Sequence, residues 1–342
     1  MKNSIRILSV LVFPLLLIGF SLSETDKKVL QYPSSWPKPH YNFKDNPLSN
    51  IQVELGRKLF YDPILSADNS ISCANCHLSF TAFTHVDHAL SHGINDSIGT
   101  RNSPVLINLA WNKHFMWDGA INNIEVQALA PISHPAEMGE ELNHVIRKLQ
   151  KDNNYPHQFY KAFGDSLITS QRMLKSMAQF QLTLVSANSK YDKVKRGEIK
   201  FNEQEANGYK LFTKLCNSCH TEPLFTNGGF ASNGLTIDTN LKDVGRFKIT
   251  RVNEDSLQFK IPTLRNIEFS QPYMHDGRMK SLSEVLRHYS SKISTSKNPK
   301  SDIKTNLKLT DNDRIDLVAF MLTLTDKEFL FNPNYSYPRN IK

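Results

Sequence analysis

Cys73-Ala-Asn-Cys76-His77 is the stretch that decides the fold, because its pattern returns as Cys216-Asn-Ser-Cys219-His220 and the two copies use every cysteine of the chain. Two cysteines three positions apart, with histidine next to the second, form the attachment pattern of a c-type haem. The thiols make thioethers to the porphyrin vinyl groups, and the histidine lies under the iron as proximal ligand. Two C-x-x-C pairs can also hold one tetrahedral zinc, but such pairs usually lie roughly 15–20 residues apart, and these are separated by most of a domain. Two disulfides are open to a protein in an oxidising compartment, yet a disulfide has no use for the histidine that follows each pair. The pattern therefore predicts two covalent haems, one on Cys73, Cys76 and His77 and one on Cys216, Cys219 and His220.

The start of the chain agrees with that chemistry. Residues 1–23 carry Lys2 and Arg6, an apolar run from Ile7 to Phe20 and small residues at Ser21 and Ser23, which reads as a cleaved secretory signal peptide too short to span a membrane. Export to the periplasm is the expected location, since covalent haem attachment takes place outside the bacterial cytoplasm. The remaining residues exceed one ordinary core, so two domains are expected, one per haem. The formal charge of +8 falls to +6 without Lys2 and Arg6, and four haem propionates would neutralise most of it. No basic block with interleaved aromatics occurs, so the charge does not indicate a nucleic-acid partner.

Periodicity places the elements. Residues 24–50, with Pro33, Pro37, Pro39 and Pro47, read as an extended lead-in. Apolar positions 51, 55, 59 and 60 predict a helix over Ile51–Tyr61, stopped at Asp62-Pro63. Residues 82–108 are expected to be loop, and 140–151 and 165–191 helical. The charged stretch Lys193–Lys200 reads as a linker. Helices are predicted again over 202–216, 281–289 and 310–324, the last from a Thr-Asp cap, with loop over 226–256. No period-two series appears, so the fold is expected to be mainly α: two tandem cytochrome c-like domains over residues 51–198 and 199–328, with a tail over 329–342.

The halves repeat beyond the haem motifs. Gly56-Arg-Lys-Leu-Phe60 is echoed by Gly208-Tyr-Lys-Leu-Phe212. Pro104-Val-Leu-Ile-Asn108 leads in thirteen residues, from the proline, to Trp117-Asp-Gly, and Pro262-Thr-Leu-Arg-Asn266 leads in the same thirteen to His275-Asp-Gly. This is a duplication, and it lets the halves be compared slot by slot. Fourteen residues after Trp117 stands Pro131, and fourteen after His275 stands Tyr289. If that slot faces the distal side of each haem, the first iron meets a side chain that cannot ligate it and the second meets a phenol that can; the competing reading is a core tyrosine.

The order C-x-x-C-H, Arg101-Asn102-x-Pro104, Trp117-Asp-Gly, Gln127, Pro131, Glu137-Met-Gly, second C-x-x-C-H, Pro262-Thr-Leu-Arg-Asn266 and Met274-His-Asp-Gly277 resembles the bacterial dihaem cytochrome c peroxidases, a family that also holds the MauG-type enzymes. The resemblance runs from Gly56 to Leu324. It implies that Trp117 conducts electrons between the haems and that Glu137 and Gln127 serve the peroxidatic haem, the carboxyl relaying a proton between the peroxide oxygens and the amide orienting peroxide. It also implies a calcium ion held by Asn102 and the main-chain oxygens of Ser270 and Pro272. Family members are often dimers.

Two departures qualify the likeness. Conventional peroxidases carry methionine where this chain has Tyr289, and the tyrosine is the MauG-like choice, with Met274 and Met279 as fallback ligands. An anionic oxygen donor favours ferric iron and lowers the potential. Conventional members also block the first iron with a loop histidine until the second haem is reduced; His92 lies near that place, but its loop to Arg101 is two residues longer than usual, and His85 and His88 are also within reach. The expected activity is reduction of hydrogen peroxide with electrons from a small protein such as a cytochrome c or cupredoxin. The alternatives are MauG-like oxidation of a partner protein, which Tyr289 favours, and a non-catalytic electron carrier, against which Pro131 and Glu137 argue.

Overall fold

In the computed structural model, which describes residues 30–293, 302, 303 and 305–338, Ser49 opens α1 (Asn50–Tyr61) by accepting from Gln52 N, and Asp62 before Pro63 closes it. The one-turn α2 (Cys73–Cys76) carries the first cysteine pair. After a long loop come α3 (Leu129–Ser133), α4 (Leu142–Lys151) and α5 (Tyr155–Phe163), and α6 (Ser170–Leu182) then crosses α1. Gly56 makes the crossing close: a Cβ there would stand 1.9 Å from Ser176 O. Phe60 fills the adjoining core edge-on to Phe83 and Phe180, with ring centroids 5.8 and 5.3 Å away, contacts worth about 0.5–1.5 kcal/mol each beyond the buried area.

The second half repeats this plan. After α7 (Lys190–Lys195), a reciprocal cap between Asn202 and Glu205 starts α8 (Glu203–Leu215), with the second cysteine pair at its end. The short α9 (Phe247–Thr250) and α10 (Leu282–Arg287) follow, the latter running into a π turn over His288–Lys292. Thr310 and Asp313 cap α11 (Asp311–Leu322), which crosses α8 where a Cβ on Gly208 would stand 1.9 Å from Asp316 O. The last element is α12 (Lys327–Leu330). The only strands among the described residues are β1 (Phe230–Ala231) and β2 (Phe259–Lys260), an antiparallel pair. The fold is mainly α, as periodicity predicts.

The duplication extends to the backbone. Asn108 and Asn266 both adopt the left-handed conformation and cap 3-10 turns, at Leu109–Trp111 and Ile267–Phe269. Met116 and Met274 have φ of 67° and 77°, within tight turns bridged by Phe115 with Ile121 and by Tyr273 with Met279.

The structure differs from the periodicity at three places. The helix expected over 165–191 starts at Ser170 and stops at Leu182, because Asp326 Oδ2 takes Ser186 Oγ, Ala187 N and Asn188 N at 2.9–3.1 Å and draws the chain off the helix axis. Ser189 then caps α7, so the stretch expected as linker begins as helix. Helix α5 was hidden by Asn153-Asn154-Tyr155-Pro156; Asp152 Oδ1 accepts from Asn154 N and Tyr155 N, and proline is tolerated in a first turn. The lead-in packs by Trp36, edge-on to Trp111 at 5.1 Å. The tail returns to α1, where Arg57 donates to Ser336 O and Pro333 O, and Tyr61 Oη to Tyr335 O. The signal segment, residues 24–29 of the lead-in and residues 339–342 of the tail lie outside the described residues.

Candidate functional site

Each cysteine pair presents its histidine in the same way. His77 Nδ1 donates to Phe83 O at 2.7 Å, and His220 Nδ1 faces Phe225 O and Pro262 O at 3.3 and 3.1 Å. A carbonyl can only accept, so the proton sits on Nδ1 and the Nε2 lone pair is free for a metal. Burial pushes the His77 imidazole down to about 4, against its hydrogen bond to Phe83, and lowers His220 likewise. Both rings are thus neutral ligands. The four thiols are free of one another, and burial raises Cys73 and Cys216 to about 12.

A cavity of about 580 Å³ is walled by Cys216, Cys219 and His220, then by Tyr289 and Met274, and extends to Trp117 and Gln127. Apolar walls with a few convergent polar groups are what a cofactor site requires, and with the free Nε2 lone pairs and the thiols these residues fit a haem at His220. Tyr289 lines this space: burial raises the phenol to about 12, a hydrogen bond with Asn233 opposes the rise, and the charges of the Cys216 and Cys219 thiols add to it. Asn233 Nδ2 also donates to Met274 Sδ at 3.2 Å, so one amide holds both candidate distal ligands. Met279 is not among the cavity-lining residues; its backbone pairs with Tyr273.

On the first side, the Glu137-Met138-Gly139 turn is fastened to α3 by Met138 N to Pro131 O at 3.2 Å and to the histidine loop by Ile94 N to Glu137 O at 2.8 Å. Burial raises the Glu137 carboxyl above its ordinary range, with His134 opposing, and Glu137 in turn adds to the raised pKa values of Cys73 and Cys76. The carboxyl is therefore near enough for its charge to act on the thioether-forming atoms. Gln127 Nε2 lies 3.8 Å from Met116 Sδ and lines the cavity. The His92 carbonyl accepts from Cys76 Sγ at 3.5 Å, while its ring lies tilted 4.2 Å from that of His88, which stacks 5.0 Å from His85.

Trp117 joins the halves: its indole N–H donates to Asn102 O at 2.8 Å, and its carbonyl accepts from Lys260 N at 2.7 Å. Asn102 N donates to His275 O and Asn102 Nδ2 to Ala89 O. Asn102, Ser270 and Pro272 share one cavity wall, a set of hard oxygen donors. Among the described residues no group of three or more His, Cys, Asp or Glu side chains could hold a metal. Asn233, Lys260 and His114 also line the cavity, and sequence reasoning missed them. The one available signal was the position of Lys260, two residues before the Pro262 motif.

Residues 50–200 match the family model for di-haem cytochrome c peroxidase, and residues 205–325 match the cytochrome c model. The chain is 35% identical over 303 residues to a methylamine utilization protein MauG of Methylorubrum extorquens, covering 85% of this chain and 82% of that one. It is 31% identical over 297 residues to a cytochrome c551 peroxidase of Nitrosomonas europaea, covering 85% and 84%. A MauG-like protein associated with microbial copper homeostasis superposes with a TM-score of 0.82 at 29% identity, over 91% of this chain and 99% of that one. No described helix is long and apolar enough to cross a membrane. The two matched models imply covalent c-type haems, and the chain belongs to the dihaem cytochrome c peroxidase and MauG family.

Proposed function

We propose that this chain is an exported periplasmic enzyme that reduces hydrogen peroxide to water with electrons from a small redox protein, a cytochrome c or a cupredoxin. The observation that carries the reading is Glu137, a partly buried carboxyl whose pKa is raised and whose charge is felt at Cys73 and Cys76, in a turn held by Met138 N to the carbonyl of Pro131, a residue that offers iron no side-chain ligand. Haem bound at His77 would supply the iron chemistry that splits the peroxide bond. The overall step takes two electrons and two protons to two waters. Glu137 would hold a proton at its carboxyl oxygen and pass it from the inner to the outer peroxide oxygen; Gln127 Nε2 would orient the substrate. Phe83 O keeps the His77 proton on Nδ1, so that Nε2 stays a donor. Trp117, fastened to Asn102 and Lys260, is the proposed conduit between the two sites.

The contact of the His92 ring with His88, centroids 4.2 Å apart, favours an iron left open at rest, and the enzyme would then turn over without prior reduction. Asn102 with the Ser270 and Pro272 carbonyls is the proposed calcium position. The test is to mix the haem-loaded protein with peroxide and reduced cytochrome c or cupredoxin, with and without reductive pretreatment. Oxidation of the donor in either arm is expected, and its absence from every arm would refute the reading.

A second reading has its own support. Tyr289 lines the same cavity as Cys216 and Cys219, and a phenol ligand would make the second haem a poorer acceptor from ordinary cytochromes, which suits oxidation of a partner protein. Peroxide-dependent oxygen insertion or cross-linking in a candidate partner, read by mass spectrometry without donor oxidation, would replace the first reading by this one.

A further inference from the structure

Lys260, a half-buried residue lining the cavity, has no carboxylate partner among the described residues. It stands opposite Phe230 in the register of β1 and β2, so the two side chains leave the ribbon on one face. Phe259 leaves on the other, with its ring 3.7 Å from that of His275. The backbone N–H of Lys260 holds Trp117 O, while its ammonium meets no carboxylate among the described residues and its remaining surface is cavity wall. Burial alone lowers it to about 8.

His114 stands on the same wall, and its Nδ1 is buried without a hydrogen-bond partner. Burial and then the charges of Arg246, Lys260 and Lys113 hold its pKa down. Arg246 lies 3.9 Å over the Phe230 ring, which is 5.5 Å from His114, and its one carboxylate, Asp255, is 3.6 Å away. A buried, unpaired cation beside an unsatisfied imidazole is costly unless an anion from outside the chain completes it.

A haem bound in this cavity would supply a charge of the right sign. A haem fixed at Cys216 and Cys219 by its vinyl groups carries two carboxylates on another edge of the ring. We propose that Lys260 and His114 form the carboxylate end of this cavity, binding a propionate of the haem held by His220 and thereby raising that haem's potential above the value a phenol ligand alone would set. The inference rests on the second cysteine pair carrying haem; haem content of the unaltered protein tests that separately.

The experiment uses the haem-loaded full chain with Lys260→Met, Lys260→Arg and His114→Phe, read by haem content, by redox titration that resolves the two haems through their spin-resonance signals, and by thermal unfolding. Lys260→Met is expected to lower the midpoint potential of the second haem alone and to lower the melting temperature, because it strands a buried carboxylate; Lys260→Arg should restore both. A shift confined to the first haem would assign the carboxylate to that cofactor and overturn the proposal. So would unchanged potentials, or a higher melting temperature in Lys260→Met, the sign of a charge that never had a partner. If Lys260→Met fails to fold, His114→Phe decides: the second potential falls if the proposal holds and stays if it does not.

Discussion

Tyr289 differs from an ordinary core tyrosine in what it faces: it lines the cavity that holds Cys216 and Cys219, and its hydroxyl is hydrogen-bonded with the Asn233 amide. Tyr289→Phe in the haem-loaded protein should therefore convert the low-spin resonance of the second haem to another signal while leaving the first unchanged. An unaltered spectrum would return Tyr289 to the core and leave Met274 as ligand. Glu137→Gln should slow peroxide turnover by about 10²-fold or more, measured by stopped-flow at saturating peroxide. Because burial raises the Glu137 pKa, the carboxylate that takes up the inner proton forms only above the ordinary carboxyl value of about 4.3, and the rate should rise as pH rises through that raised value. The spacing of the duplication led directly to Tyr289 and Pro131. It could not lead to Asn233, whose place on the cavity wall depends on the path of a loop, and it marked Lys260 only by its position two residues before the Pro262 motif.

The two long-helix crossings depend on one missing atom each. Gly56→Ala and Gly208→Ala would place a Cβ 1.9 Å from Ser176 O and Asp316 O, so each should separate its helices and cost about 1–3 kcal/mol, seen as a lower urea midpoint. The echo of Gly-x-Lys-Leu-Phe made these helices legible in sequence, though not the reason for the glycine. Residues 183–189 were illegible for a different reason. Their composition continues the helix, and only the distant Asp326 carboxylate, which collects three donors, breaks it.

Across the whole molecule, Arg101 joins the halves by pairing with Asp118 and Asp243, each at 2.6 Å. Burial would raise Asp243, but the Arg101 bonds override it and hold the carboxyl below its ordinary range. The stability this supplies is present above the unfolded carboxylate pKa of about 3.9 and is lost as pH falls through the depressed folded value. Arg101→Met should cost about 2–5 kcal/mol, towards the lower end because the guanidinium keeps some solvent contact, and should remove part of the acid dependence of unfolding below about pH 4. The two-haem, mainly helical plan was legible from ten residues in two motifs, whereas this clamp was not, since Asp243 lies in a loop 142 residues from its partner.

The return of the tail to α1 has a consequence for biogenesis. Arg57 meets Ser336, made 279 residues later, so the half that emerges first stays incomplete until that much more of the chain has been made. The cytochrome assembly machinery would therefore meet Cys73 and Cys76 in a partly open nascent chain, while the later half could close promptly. A stop codon before Pro333 should then lower porphyrin retention and protease resistance in the earlier half, far along the chain from the deletion.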